Sequence, residues 1–295
     1  MAYKNIDVYN LIRPMVIKLR NKGIETANLD CRLLLSKSLN KRVSIYNHQN
    51  ICISQSEFAK FQNLIQQRLN GKPVSRIINK RNFWKKEFQL NDETLDPRFD
   101  SETLIETILE HYKDKLQSLK ILDLGSGSGC LGLSLLDEYH NSEVSFFDIS
   151  SKSLEMAKIN AINLGLLERS KYINLNWHIN DWDEKLISIE NNLKYDIIIS
   201  NPPYIPTNLI KTLKKEVKKY DPFIALNGGK EGLDAYKSIL PKLTNIIKPN
   251  GKIFFEIGEG QESPITKIAT GYGLSVEGYK KDLAGVIRVI MLYVK

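Results

Sequence analysis

The segment KILDLGSGSGCLGLSLL, residues 120–136, constrains the chain more than any other stretch. A run of buried-strand character passes directly into alternating glycines, and an apolar helix-like stretch follows without a break. Strand, glycine turn and helix in that order suit a nucleotide-type cofactor. Glycine takes positive φ angles and carries no Cβ, so the main chain approaches a ligand closely, and the helix N-terminus faces it. Gly125, Ser126, Gly127, Ser128 and Gly129 are the candidate cofactor-binding residues, and Asp123 is expected at the strand's end, at the mouth of the site.

The next strand-like run, VSFFDIS, ends on Asp148. A carboxylate some 20 residues beyond a glycine loop is placed to accept both hydroxyls of a ribose. Gly127, Gly129 and Gly132 also satisfy the dinucleotide G-x-G-x-x-G pattern, so a nicotinamide-linked oxidoreductase stays open at this point. Further on, INDWDE offers Asp181 as an acceptor for an adenine amino group and Trp182 as a surface for the ring, although an Asp-Trp pair is more often a surface turn.

The run YDIIIS leads straight into Asn201, Pro202, Pro203 and Tyr204. A buried strand delivers these residues to the carboxyl edge of the sheet, where open α/β sheets bind ligands. The tetrapeptide is rich in acceptors: Asn201 brings a side-chain carbonyl, and the prolines have no N–H to compete. Two acceptors can hold a planar –NH2 group and aim its lone pair at an electrophilic methyl, with Tyr204 on the flat face of the substrate. Asn201, Pro202 and Tyr204 are the candidate catalytic residues, and 201–204 the candidate substrate site. A nicotinamide enzyme has no use for such a cage, so S-adenosylmethionine (SAM) is the favoured cofactor.

Around these motifs the chain changes character. Val8, Leu11, Ile12, Met15, Val16 and Leu19 form one helical stripe, Leu29, Leu33 and Leu34 suggest a second helix, and Ser54 with Glu57 opens a third as a capping box. Residues 1–78 are therefore expected to be a helical bundle, 79–101 a linker with a β-hairpin, and 102–295 an α/β domain with strands near 120–124, 143–148, 195–200, 251–257 and 286–294. Charge divides the same way: residues 1–80 hold 14 Lys/Arg against 4 Asp/Glu, and the remainder 28 against 30. The basic N-terminal part could meet nucleic acid or an acidic protein surface, or be a solvated lysine-rich face. Cys31, Cys52 and Cys130 have no metal-like spacing, and His48, His111, His140 and His178 are scattered, so neither disulfide nor metal is expected. No stretch is long and apolar enough for a membrane span, and no signal or transit pattern opens the chain, which makes the cytoplasm the expected setting.

Taken together, LDLGSGSG, FDIS, NDW, NPPYIP, YDPFIALNGGKEGLDAYKSIL and FFEIGEGQ resemble, in order and over most of the chain, the release-factor glutamine methyltransferases known as HemK or PrmC. The resemblance implies a Rossmann-like class I SAM-dependent methyltransferase domain with a small N-terminal all-helical, substrate-recognition domain. It implies methyl transfer from SAM to the glutamine of the Gly-Gly-Gln motif in class I peptide chain release factors. By it, 125–129, Asp148, Trp182 and Asn201 contact SAM, and 201–204 the glutamine. Where many members carry Pro-Arg-Pro-Glu-Thr-Glu, this chain has Pro97, Arg98, Phe99, Asp100, Ser101 and Glu102, and Asp221-Pro222 replaces Glu-Pro. Two alternatives stand beside it: a DNA or RNA adenine amino-methyltransferase, since adenine also presents a conjugated –NH2, and a non-catalytic RNA- or ribosome-binding protein that keeps the fold. Against the first, no basic insertion interleaved with aromatics is seen. Against the second, Asn201 and the glycines are intact.

Overall fold

Hydrophobic periodicity of two kinds runs along the chain, of which the computed structural model describes residues 4–41, 43 and 50–295. One unit comprises residues 1–80 with 215–220, the other 81–214 with 221–295. His48 lies outside the described residues.

In the first unit a short antiparallel pair, β1 (Lys4–Asp7) and β2 (Asn50–Ile53), accompanies helices α1 (Val8–Arg20), α2 (Ala27–Leu39), α3 (Gln55–Leu69) and α4 (Val74–Ile78). The capping box at α3 is formed: Glu57 N–H donates to Ser54 Oγ at 3.2 Å, and Ser54 N–H to Glu57 Oε2 at 2.8 Å. The apolar stripes of the helices meet in a core built on Val8, Ile12, Leu19, Leu34, Phe61 and Ile65. Arg68 is buried among them, its charge met by Asp30 at 2.6 Å and by Glu216.

The hairpin strands β3 (Lys80–Phe83) and β4 (Lys86–Gln89) fall, all but Lys80, at the start of the second unit. This stretch is no free linker. Phe83 and Phe88 are buried in the core of the larger unit, and Gln89 exchanges two hydrogen bonds with the Asn160 side chain, at 2.7 and 3.0 Å. Apolar hairpin residues therefore join the domain that gives them a place to be buried.

After α5 (Glu102–His111) the chain alternates: β5 (Lys120–Leu124), α6 (Cys130–Glu138), β6 (Glu143–Asp148), α7 (Ser151–Leu164), β7 (Ser170–Asn174), α8 (Trp182–Ile189), β8 (Tyr195–Ser200), β9 (Ile247–Glu256), the helix Glu262–Gly271, β10 (Leu274–Lys281) and β11 (Ile287–Val294). These form one seven-stranded sheet in the order β10-β11-β9-β8-β5-β6-β7, parallel from β9 to β7, with β11 and β10 antiparallel at one edge. Successive strand residues alternate between two cores: Ile121, Ile197, Ile199 and Phe254 pack beside α5–α7, whereas Leu122, Ile198, Ile253 and Phe255 pack with α8 and the C-terminal helices. The chain leaves β5 in one direction through β6 and β7 and returns to pair β8 on β5's other side. The strand order therefore reverses between β5 and β8, and a crevice opens at their carboxyl ends.

Candidate active site

Register brings the sequence motifs together. Leu124 lies opposite Phe147 on one side and Ser200 on the other, so the residues after three neighbouring strands emerge at one edge. A cleft there is lined by Gly125, Ser126, Gly127, Ser128, Asp148, Asn201 and Pro203, with flanking residues from the hairpin-side loop and from Ile224 and Ala225.

Gly125 has φ +75°, and a Cβ added there would stand 2.9 Å from the Trp177 ring; Gly129 has φ +77° and would meet Ala157 at 3.0 Å. At both positions conformation and space demand glycine. The loop is fastened by Gly125 N–H and Ser126 N–H, both donating to Phe147 O at 2.8 and 3.1 Å, and by Gly129 N–H donating to Ser126 O at 2.8 Å. The Ser126 hydroxyl is buried with no partner among the described residues, a polar group left for a ligand at the cleft.

Asp148 is 8 % exposed and accepts from Gly127 N–H at 2.8 Å and from Ser150 N–H at 2.9 Å, one bond to each carboxylate oxygen. Burial raises its pKa, opposed by these backbone N–H groups and that of Ile149. A carboxylate offers about four acceptor positions, so these backbone N–H groups leave it capacity to accept further. Asp123 behaves differently from its expected place. It is wholly buried one residue before the strand ends, accepts from Gly132 N–H at 3.0 Å, and burial pushes its carboxyl up to about 7. It fastens the loop from behind and does not line the cleft.

In the tetrapeptide, Asn201 and Pro203 line the cleft; Pro202 is buried and Tyr204 half-buried, and neither lines it. Asn201 Nδ2–H donates to Ser101 Oγ at 3.0 Å, which turns Oδ1 into the end left to accept. The Tyr204 hydroxyl donates to Glu256 Oε1 at 3.2 Å, and its carbonyl accepts from Gln261 Nε2 at 3.0 Å, so this ring braces the loop and is not displayed to a substrate.

The two tryptophans divide unexpectedly. Trp182, expected against the adenine ring, is 1 % exposed, meets Phe147 edge-on at 5.6 Å and donates its indole N–H to Ser238 O at 3.3 Å, in the core behind the cleft. Its helical neighbour one turn on, Leu186, is buried in the same core. Asp181 likewise stays outside, paired with Lys185 at 3.2 Å. Trp177, which no sequence motif marks, lines the cleft with its ring nearly parallel to Phe147, 6.1 Å away at 8°. Arg98 and Ser101, from a segment far from any glycine motif, also line it, and Arg98 is paired with Asp221. Among the described residues no group of His, Cys, Asp and Glu could hold a metal ion.

A crevice at the sheet's switch point, with a glycine loop on one strand, a buried acid on the next and an acceptor-rich tetrapeptide on the third, makes the larger unit a class I SAM-dependent methyltransferase. Residues 95–217 match the methyltransferase small domain, and 10–78 the PrmC N-terminal domain. The chain is 35% identical over 282 residues to the release factor glutamine methyltransferase of Bradyrhizobium diazoefficiens, covering 94% of this chain and 92% of that protein. It is 36% identical over 280 residues to the protein of the same name from Agrobacterium fabrum, covering 92% of each. A solved release-factor-specific protein-(glutamine-N5) methyltransferase from Alicyclobacillus acidocaldarius superposes with a TM-score of 0.42 at 23% identity, over 66% of this chain and 92% of that one. This chain belongs to the release factor glutamine methyltransferase family.

Proposed function

We propose that the protein transfers a methyl group from SAM to the side-chain amide nitrogen of the glutamine in the Gly-Gly-Gln motif of class I peptide chain release factors. The observation that carries this reading is Asn201: it lines the same cleft as the glycine loop and Asp148, with its N–H engaged by Ser101 and its carbonyl oxygen left to accept. Bound in the cleft, SAM supplies an electrophilic methyl on a sulfonium.

The chain's own residues hold and orient. Asp148 takes the ribose hydroxyls with the acceptor positions that Gly127 and Ser150 leave, and Trp177 covers the base. An amide nitrogen is a poor nucleophile because its lone pair is delocalised into the carbonyl, the resonance behind a peptide bond's roughly 18–20 kcal/mol rotation barrier. Asn201 Oδ1, accepting from the glutamine –NH2, stabilises a nitrogen that turns tetrahedral and positive more than it stabilises the planar amide. The nitrogen carries a positive charge once the methyl has been transferred, and in that form it is acidic enough to give one proton to water and leave the neutral N-methyl amide. The one thiol at the cleft, Cys130, is pushed up to about 12 by burial and is no base.

The basic helical domain, residues 1–78, serves recognition of the release factor in this reading, and the reaction belongs in the cytoplasm. No helix among the described residues is long and apolar enough to cross a membrane. The test is incubation with methyl-labelled SAM and a release factor, its Gln→Ala variant, or bulk nucleic acid. Label in the intact release factor alone is the expected result. Label in nucleic acid supports the adenine alternative and overturns the glutamine reading.

A further inference from the structure

The stretches FFEIGEGQ and YDPFIALNGGKEGLDAYKSIL stand out in the sequence, yet the holding of cofactor and substrate leaves both without a task. In the folded chain they meet at one side chain, Gln261, which sits just before the helix Glu262–Gly271 and is 8 % exposed. Its Oε1 accepts from Gly258 N–H at 2.9 Å. Its Nε2 donates to Tyr204 O at 3.0 Å and to Gly232 O at 3.1 Å. These partners fix the orientation of the amide, because half a turn would set its oxygen against two carbonyl oxygens and its –NH2 against an N–H.

Close packing surrounds the carbonyl that Gln261 holds. A Cβ on Gly232, which has φ +75°, would stand 2.3 Å from Tyr204 O and 2.6 Å from Gln261 Nε2, and one on Gly228 would stand 2.7 Å from Pro203 O. Ile205 N–H donates to Leu226 O at 3.1 Å, and Gly228 N–H to Ile205 O at 2.9 Å. The rear of the tetrapeptide is therefore clamped between the segments 226–232 and 258–261. Its front is held by β8, where the Ser200 hydroxyl donates to Leu124 O at 2.6 Å. Between these anchors Pro202 and Pro203 have φ fixed at about −65°. A displacement at Tyr204 O is passed along this stiff link to Asn201.

We propose that Gln261 is a positioning residue for methyl transfer, which by holding the Tyr204 carbonyl sets where the Asn201 amide stands in the cleft. The inference rests on Asn201 being the acceptor for the substrate nitrogen. Gln261 does not itself line the cleft. Its loss takes a donor from Tyr204 O and Gly232 O and an acceptor from Gly258 N–H, all inside the fold. Relaxation of those groups moves the loop, and a shift of about 1 Å in a reacting geometry costs on the order of 100-fold in rate. The glycine loop follows β5 and Asp148 ends β6, away from these contacts, so cofactor binding is spared.

The experiment uses the full chain labelled with ¹⁵N-asparagine and the variant Gln261→Met, which keeps the length of the side chain and removes the amide. At saturating SAM and release factor, kcat is expected to fall about 10- to 100-fold, with S-adenosylhomocysteine affinity by calorimetry within about twofold of wild type. The Asn201 side-chain amide signals, assigned by their loss in Asn201→Ala, are expected to shift in the variant, whereas those of Asn141, ahead of β6 at the opposite edge of the sheet, hold. A residue serving stability alone would lower Tm and, below it, leave kcat and the Asn201 signals at their wild-type values; that result overturns the proposal. Loss of S-adenosylhomocysteine affinity in step with kcat overturns it as well, since Gln261 would then act on the cofactor side. Gln261→Asn keeps a polar amide one methylene short of Tyr204 O, and carries the same readouts if Gln261→Met does not fold. If the wild type leaves release-factor glutamine unlabelled, the functional reading fails, and the Asn201 signals still decide whether Gln261 holds the tetrapeptide.

Discussion

Replacing Asp148 by asparagine keeps its volume and removes most of its capacity to accept. Both carboxylate oxygens are engaged by the backbone, Gly127 N–H at 2.8 Å and Ser150 N–H at 2.9 Å. An asparagine has one oxygen, so one of these N–H groups would face an –NH2, and a ribose hydroxyl would lose its charged acceptor. A hydrogen bond to a charged partner contributes about 1.5–3 kcal/mol. At 1.4 kcal/mol per decade, losing one raises the Kd for cofactor about 10- to 150-fold. Titration calorimetry with S-adenosylhomocysteine reads that change directly, and turnover at saturating SAM should stay near the wild-type value, because Asp148 is on the ribose side. The sign of the pH effect follows from burial. The Asp148 pKa is raised, so wild-type affinity begins to fall on acidification above the usual carboxylate range. Asp148→Asn has no such fall. Wild-type affinity in Asp148→Asn would refute the ribose assignment and, with it, the placement of cofactor along the glycine loop.

Asn201→Ala should lower kcat roughly 10²- to 10³-fold, the range for a lost transition-state hydrogen-bond partner, with S-adenosylhomocysteine affinity nearly intact by calorimetry; equal loss of both shows that Asn201 chiefly binds cofactor. Trp177→Ala should weaken S-adenosylhomocysteine binding about 2- to 12-fold, the loss of one ring-on-ring contact, with little change in Tm. Trp182→Ala should instead leave a core cavity and cost about 3–5 kcal/mol in urea unfolding; the opposite pattern would exchange the two roles. Asp123 and Glu256 are raised to about 7 in the folded chain, above unfolded values near 4, so the folded state binds more protons in between and stability falls as pH rises through that window. Asp123→Asn should flatten that slope and raise the urea midpoint at pH 8, and an unaltered slope would show that Asp123 is already ionised in the fold.

The strands that carry the site were legible because each is a short apolar run followed at once by its motif. A parallel register then fixes where the next residue emerges: Leu124, Phe147 and Ser200 sit side by side, and the residues after them, Gly125, Asp148 and Asn201, line one cleft. β10 was not legible. It is an edge strand whose LSVEGYKK alternates only loosely between buried and exposed positions and is broken by bulges at Val276/Gly278 and Lys280/Lys281. The pair β1–β2, with four residues in each strand, is too short to show a period against the helices around it. The hairpin at 80–89 is legible in its alternating aromatic pattern, but which domain buries Phe83 and Phe88 depends on contacts with residues far along the chain, such as Asn160.

Helical periodicity separates the places of Trp177 and Trp182. Adjacency to Asp181 suggested a ring for the cofactor, yet Trp182 opens α8, and its partner one turn later is Leu186, also buried. Two large apolar residues at i and i+4 on a short helix define the face that packs inward. That stripe was present in the sequence and assigns Trp182 to the core. Trp177 has no such partner, because it lies in the turn between β7 and α8, where no helical face claims it and the ring is free to lean on Phe147 over Gly125. Ser101 and Glu256 had no comparable signal. The Asn201 contact of Ser101 and the Tyr204 contact of Glu256 exist only in the folded chain, where β9 runs beside β8.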